Sequence, residues 1–280
     1  MSESTHADSQ KRKPILLGIA GGSGSGKTYL AQKVQSEVGV EQVSVLGMDM
    51  YFRTLNLPPG TLIHDINFDH PAHIDLELMQ SDLAKLKAGQ NILAPAYDFV
   101  SQVQTPNATL IEAKPVVIVD GLFVLANPIV NVFDFTCFLH VDTDQRLLGR
   151  LLRDIRERRT EIEWAIDRYQ RFVRPSYEQF VEPTKQNADI VVDFTYRRSL
   201  FQALVIHLVK DYVAGEELET FLSAVQSDQF GLGYSPKESA RGQGLDLLAI
   251  SKMFPEPTAG TEQPREPTLV VSDIPTIEGA

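Results

Sequence analysis

The octapeptide Gly21-Gly22-Ser23-Gly24-Ser25-Gly26-Lys27-Thr28 carries the spacing G-x-x-x-x-G-K-[ST]. Its glycines allow positive φ and turn successive N–H groups inward, so the loop makes a nest for phosphate oxygens that no side chain blocks. In that pattern Lys27 reaches the β and γ phosphates of a nucleoside triphosphate and the Thr28 hydroxyl ligates Mg²⁺. Two carboxylates add to the set. Asp49, in Gly47-Met48-Asp49-Met50-Tyr51, could take the proton of an attacking hydroxyl or cap the turn in which it stands. Asp120, in Val119-Asp120-Gly121, could partner Mg²⁺ or water beside the loop, or form an Asp-Gly turn.

A loop of this kind serves switch GTPases, mechanical ATPases and small-molecule kinases alike. An arginine island favours the kinase: Arg146, Arg150, Arg153, Arg156, Arg158 and Arg159, with Arg168, Arg171 and Arg174 beyond. At about 100° per residue Arg146, Arg150 and Arg153 share a helix face and Arg159 lies opposite. Guanidinium groups closing over ATP would stabilise charge on the transferring phosphoryl group and exclude water. A solvated charged face is the alternative for any one of them.

These residues need a frame. Ile15 to Ala20, Val43 to Leu46, Val116 to Val119, Phe135 to Val141 and Ile190 to Val192 are short apolar runs, as expected of strands buried on both faces of a parallel sheet. Helical periods alternate with them: Tyr29 to Val38, then Leu76, Met79, Leu83 and Leu86 between a capping Asp75 and Gly89. The alternation predicts an α/β fold with right-handed crossovers. Residues 91–113, with Pro95 and Thr105-Pro106-Asn107, read as an inserted β-hairpin. Residues 145–174 read as a charged helical lid, and Ser199 to Val213 as an amphipathic helix showing Leu200, Leu204, Ile206 and Leu208. The expected organisation is a polar, disordered lead at 1–13, one domain at 14–227, and a Pro/Gly-rich tail at 228–280 that mostly lacks a core, with a short helical pattern at Leu245 to Met253.

Composition excludes other classes. A formal charge of -11 argues against nucleic acid and anionic membranes as general partners. The single cysteine, Cys137, sits in an apolar run and reads as a buried thiol in a reducing compartment. No run is long enough to span a bilayer and the lead lacks a signal h-region, so a cytoplasmic protein is expected.

In addition to Gly21–Thr28, the chain contains Asp49-Met50-Tyr51-Phe52, Asn67-Phe68-Asp69-His70-Pro71, Tyr97-Asp98-Phe99, Val141-Asp142-Thr143-Asp144, Arg153-Asp154-Ile155, and Gln179 to Lys185 followed by Ala188-Asp189-Ile190. In these elements, taken in order over residues 15–193, it resembles the uridine kinase family of the phosphoribulokinase/uridine kinase group. The resemblance implies a P-loop kinase fold with a five-stranded parallel sheet, a β-hairpin over the acceptor, an arginine lid over ATP, and a homo-oligomer, tetramer or dimer. It implies transfer of the γ-phosphoryl group of ATP, with Mg²⁺, to a nucleoside 5′-hydroxyl. On that pattern Asp49 is the general base and Lys27, Arg153 and Arg158 hold phosphates. Asp69 and Arg150 hold the ribose 2′ and 3′ hydroxyls, while Phe52, Phe68, Tyr97 and Phe99 wall the base.

The chain departs from the pattern where the base is read. Gln102 stands at a usual histidine, Arg159-Thr160 at a Gly-Arg pair, and Arg168 at a glutamine before Tyr169. Asp120 replaces a glutamate on the Mg²⁺ side, and Asp193-Phe194-Thr195-Tyr196 replaces a Pro-Arg-Gly-Gly segment. The expectation is therefore an ATP-dependent kinase of uridine or cytidine with base preference open to change. The alternatives are a kinase of a non-pyrimidine nucleoside, polyol or sugar phosphate, and a nucleotide-binding regulatory protein.

Overall fold

The computed structural model describes residues 13–54, 65–98 and 103–217, together with Glu219, Ser223, Gly233 and Tyr234. Its centre is β1 (Ile15–Gly21), all seven residues of which are buried. β1 lies between β5 (Val116–Asp120) and β6 (Phe135–His140), with β2 (Val43–Gly47) outside β5 and β7 (Ile190–Asp193) outside β6, all parallel. The five-stranded parallel sheet is as expected.

Each strand feeds two cores because alternate side chains point to opposite faces. Ile15, Leu17 and Ile19 of β1 join Val116, Ile118, Cys137 and Val192 beneath α1 (Lys27–Val38) and α6 (Phe194–Ala214). Leu16 and Ala20 face the other way, with Val117, Val119 and Phe138, under α2 (Leu76–Lys87). α2 begins as its sequence dictates, the Asp75 carboxylate accepting from the Leu78 N–H at 3.1 Å. The hairpin is also present: β3 (Ile92–Asp98) pairs antiparallel with β4 (Val103–Ile111), with a register shift between Ala94 and Ala96. Gln104 ties it to the end of β2's connection, donating from its backbone N–H to Thr54 Oγ1 at 2.9 Å and from its side chain to the Phe52 carbonyl at 3.0 Å.

Three expectations need correction. Gly233–Tyr234 forms a sixth strand, β8, antiparallel to β7, so the sheet extends past the expected boundary at 227. The helix expected at Ser199 to Val213, α6, starts at Phe194 and buries Phe201, Val205, Leu208, Val209 and Tyr212, whereas Leu200 is exposed. It begins directly on β7 without a loop, and of the residues read as its apolar face Leu208 is buried while Leu204 and Ile206 are partly buried. The lid is interrupted: α3 (Thr143–Arg156) ends, Arg159 takes a positive φ of 53°, and α4 (Ile162–Arg168) restarts. α4 runs on through a π-helical turn (Tyr169–Val173), the short α5 (Arg174–Ser176) and a second π-helical turn (Tyr177–Val181). The segment Leu245 to Met253 lies outside the described residues.

Candidate active site

The loop after β1 and the ends of β2 and β5 meet at the carboxyl edge of the sheet, where open α/β folds bind ligands. There they line a cavity of about 240 Å³. Ser23, Lys27, Thr28, Asp49 and Asp120 form its floor. Phe52, Phe68, Asp69 and Tyr97 form one wall, and Arg150, Arg153, Arg158, Thr160 and Arg168 reach in from the lid.

The loop is shaped by its glycines. Gly24 has φ 81° and Gly26, which precedes α1, has φ 88°. A Cβ on Gly24 would run into the Arg146 carbonyl, and one on Gly149 would come within 2.9 Å of the Gly24 carbonyl. The lid helix α3 thus rests its backbone on the phosphate loop, which only two facing glycines permit. Gly21, Gly22 and Ser25 complete the loop behind the cavity: the Lys27 ammonium donates to the Gly21 and Gly22 carbonyls at 2.9 Å each, and Ser25 is fully buried. Burial lowers the Lys27 pKa to about 8, against the opposing pull of Asp120 and Asp49.

Thr28 Oγ1 donates to Asp120 Oδ2 at 2.6 Å. Asp120 Oδ1 is buried and has no hydrogen-bond partner among the described residues. Burial raises the Asp120 pKa to about 6, with the Thr28 hydroxyl and Lys27 acting in the other direction. An orphaned carboxylate oxygen beside a threonine hydroxyl is suited to a hard cation that keeps water and phosphate oxygens as its other ligands, which is the habit of Mg²⁺. Among the described residues no cluster of three or more His, Cys, Asp or Glu side chains could hold a metal ion unaided.

Asp49 stands in the 3₁₀ turn Met48–Tyr51, directly after β2, with no cap hydrogen bond from a side chain at that turn. Its carboxylate faces the cavity and acts electrostatically on Lys27, Arg150, Arg153 and Arg158. Asp69 lies 3.7 Å from Arg150, both groups being nearly buried. Phe52 packs against Tyr97 at 5.3 Å and against Phe68 at 6.2 Å between ring centres. Arg168 lies over the Phe68 ring, 5.5 Å from its centre, and burial, then Arg150, lowers its pKa. Phe99 and Gln102 lie outside the described residues.

The arginine island divides. Arg150 donates to Asp154 at 2.5 Å and to Ser23 Oγ at 2.9 Å, and Arg153 donates to Ser23 Oγ at 3.1 Å. Arg146, expected on the same face, does not reach the cavity. It stacks on Tyr177, 3.7 Å from the ring centre, and donates to the Val141 carbonyl at 3.1 Å, bracing the foot of α3. Arg156 and Arg159 are exposed, while Arg171 pairs with Asp65 and Asp167 and Arg174 pairs with Glu178 on the surface. The residue that sequence reasoning passed over is Asp154, one helical turn after Arg150 and four residues before Arg158, a spacing that puts an acid within reach of an arginine on either side.

Comparisons with known proteins bear on the family and the fold. Residues 16–199 match the model of the phosphoribulokinase/uridine kinase family. A uridine kinase from Chloroflexus aurantiacus is 38% identical over 179 residues, covering 64% of this chain and 86% of that protein. A uridine kinase from Halobacterium salinarum is 33% identical over 215 residues, covering 76% of this chain and 93% of its own. Among solved structures, a candidate fructose transport system kinase from Silicibacter sp. TM1040 superposes with a TM-score of 0.52 at 20% identity, covering 62% of this chain and 87% of the other, which supports the fold. Among the described residues no helix is long and apolar enough to cross a membrane. The chain belongs to the phosphoribulokinase/uridine kinase family and is an ATP-dependent kinase.

Proposed function

We propose that this kinase transfers the γ-phosphoryl group of ATP to the 5′-hydroxyl of a ribonucleoside, uridine and cytidine being the default acceptors. The observation that carries the reading is Asp49: a carboxylate at the sheet edge that faces Lys27 and the lid arginines across the cavity. Asp49 takes the proton of the attacking hydroxyl. Lys27, Arg153 and Arg158 hold the phosphates and stabilise the charge that develops on the transferred group. Thr28 and Asp120 would hold Mg²⁺, which when bound would supply positive charge to the phosphates. Asp69 and Arg150 meet the ribose hydroxyls, and Phe52, Phe68 and Tyr97 offer flat apolar surfaces to a base. Two relatives bearing the name uridine kinase at 33% and 38% identity support the acceptor class. By family resemblance the enzyme works as a dimer or tetramer in the cytoplasm on a small-molecule acceptor.

One observation favours an altered base preference. Arg168 covers Phe68 with Thr160 beside it in the same cavity, at positions where the family pattern has glutamine and arginine. A pocket that hydrogen-bonds a base edge discriminates strongly, because mismatched polar groups are left unpaired at about 1 to 3 kcal/mol each. The deciding experiment is a panel of ribonucleosides, polyols and sugar phosphates scored by ATP consumption. It is run on the wild type and on the triple variant Gln102→His, Thr160→Arg, Arg168→Gln. Poor uridine turnover that the triple variant raises is the expected result. Efficient uridine turnover by the wild type would leave the default pyrimidine reading standing, turnover confined to polyols or sugar phosphates would overturn the nucleoside reading, and no turnover with any acceptor would favour a regulatory protein.

A further inference from the structure

α3 is built inside out. It buries Arg146, Arg150 and Asp154 and turns Leu148, Leu152 and Ile155 to solvent. A buried guanidinium is tolerable only when paired, and the pairing here converges on one carboxylate. Asp154 Oδ2 accepts from Arg150 Nε at 2.5 Å. Asp154 Oδ1 lies 3.4 Å from Arg158 Nη1 and 3.8 Å from Arg153 Nε. Asp154 is 4% exposed, and unlike its three arginines it is not part of the cavity wall.

Two orphans face each other across that last distance. Arg153 Nε and Asp154 Oδ1 are both buried, and neither has a hydrogen-bond partner among the described residues. A shift of under 1 Å would bring them within the usual N–H···O range. Arg153's other end already donates to Ser23 in the phosphate loop, and Arg150 shares that Ser23 while facing Asp69 across the acceptor side. Without a central anion the three guanidinium groups would repel one another: burial and then Arg150 lower the pKa of both Arg153, to about 10, and Arg158.

We infer that Asp154 is a positioning residue for phosphoryl transfer: it holds Arg150 against Ser23 and Asp69 and aims Arg153 and Arg158 at the phosphates, the Arg153 contact closing when nucleotide arrives. The inference rests on the proposed role of the lid arginines but not on the identity of the acceptor. Its test can therefore use the full-length chain with Mg²⁺ and the non-hydrolysable ATP analogue AMP-PNP. Trp164, the single tryptophan, lies on α4 just past the lid turn and reports on lid movement by its fluorescence.

Asp154→Asn keeps the shape and loses the charge, whereas Asp154→Glu keeps the charge and alters the shape. We expect Asn to weaken AMP-PNP binding about 10-fold and to blunt the Trp164 response, and Glu to remain within about 3-fold of wild type. Arg153→Ala should weaken binding by a similar factor, and the double variant Arg153→Ala, Asp154→Asn should lose less than the product of the two single losses, since the two residues act as a unit. Binding by Asp154→Asn within 2-fold of wild type, or a Glu variant weaker than the Asn variant, would overturn the assignment. Should the Asn variant fail to fold, the Glu variant decides: a 10-fold or greater loss there would sink the idea. If Arg153→Ala and Arg158→Ala leave AMP-PNP binding intact, the phosphate-holding role of the lid itself is wrong, a failure distinct from that of Asp154.

Discussion

The sheet and the lid solve opposite problems with similar residue types. In the sheet, Leu16, Val117 and Phe138 are wholly buried in an apolar cluster, the Lys185 ammonium approaching only one face of the Phe138 ring at 5.9 Å. In α3 the apolar residues are outside, with Leu148 54% and Leu152 49% exposed, while the arginines and their carboxylate are inside. The sheet gains stability from apolar area removed from water, at roughly 25 cal/mol per Å². The lid interior instead holds buried arginines over the Gly21–Thr28 loop, paired with the buried carboxylates of Asp154 and Asp69. The difference teaches that one molecule can hold its floor by apolar burial beneath the site and its roof by paired buried charge, the two meeting at the Gly21–Thr28 loop.

The largest effects should come from the charged residues where the two regions meet, without disturbing the fold. Asp49→Asn keeps size but cannot take a proton, so kcat should fall by about 10² to 10⁴ with nucleotide affinity little changed. Lys27→Ala removes the cation facing the phosphates and leaves the backbone nest, and turnover should drop by about 10². Steady-state kinetics with ATP affinity as the control checks both. Equal losses of binding and rate in Asp49→Asn would make Asp49 a structural or metal residue, and near-normal turnover in Lys27→Ala would refute the phosphate-cradle assignment.

The second contrast is one of stability. Phe138→Ala empties a fully buried site between β1 and β7 and should cost about 3 to 5 kcal/mol. Leu152→Ala, on the outer face of α3, should cost no more than about 0.5 kcal/mol. Urea unfolding midpoints measure both. A Leu152→Ala loss of 2 kcal/mol or more would mean that the outer face of the lid is covered in solution and that the inside-out description of α3 is incomplete.

Legibility in the sequence followed the same division. The five parallel strands, the capped α2 and the hairpin were readable because burial on both faces, capping chemistry and turn residues act locally. Lys27 and Thr28, at the start of the helix after the glycine loop, and Asp49 and Asp120, at the ends of β2 and β5, were readable because those places bring them to one edge of the sheet. What failed was inference that places apolar residues inside. It assigned Leu200 to a buried face of α6 and gave no reason to bury Asp154, since nothing local says that Ser23 will meet Arg150 and Arg153, 127 and 130 residues later in the chain. β8 failed for a related reason: Gly233–Tyr234 is too short to carry a period and becomes a strand only because β7 offers an edge.

A pH-dependent effect lies on the seam between the two regions, where a titratable group is buried like a core residue. His73 is 3% exposed, packs against Phe68 at 5.8 Å and His70 at 6.3 Å, and its Nδ1 has no hydrogen-bond partner among the described residues. Burial, then His70, lowers its pKa from 6.5 to about 4, against the opposing charge of Asp69. Above pH 6.5 both folded and unfolded chains hold the ring neutral, so it makes no pH-dependent contribution there. As pH falls below 6.5 the unfolded chain takes up a proton that the fold refuses until about pH 4, so stability declines across that window. At pH 5.5 the loss from this residue is about 1 kcal/mol relative to pH 7.5, given 1.36 kcal/mol per pKa unit. His73→Leu removes the titration, and carboxylates common to both proteins cancel in the difference. The urea midpoint of the variant should therefore fall less between pH 7.5 and 5.5 than that of the wild type, by the equivalent of about 1 kcal/mol. Parallel declines in the two proteins would show that His73 accepts its proton in the folded state, and that the seam opens to water as the sheet does not.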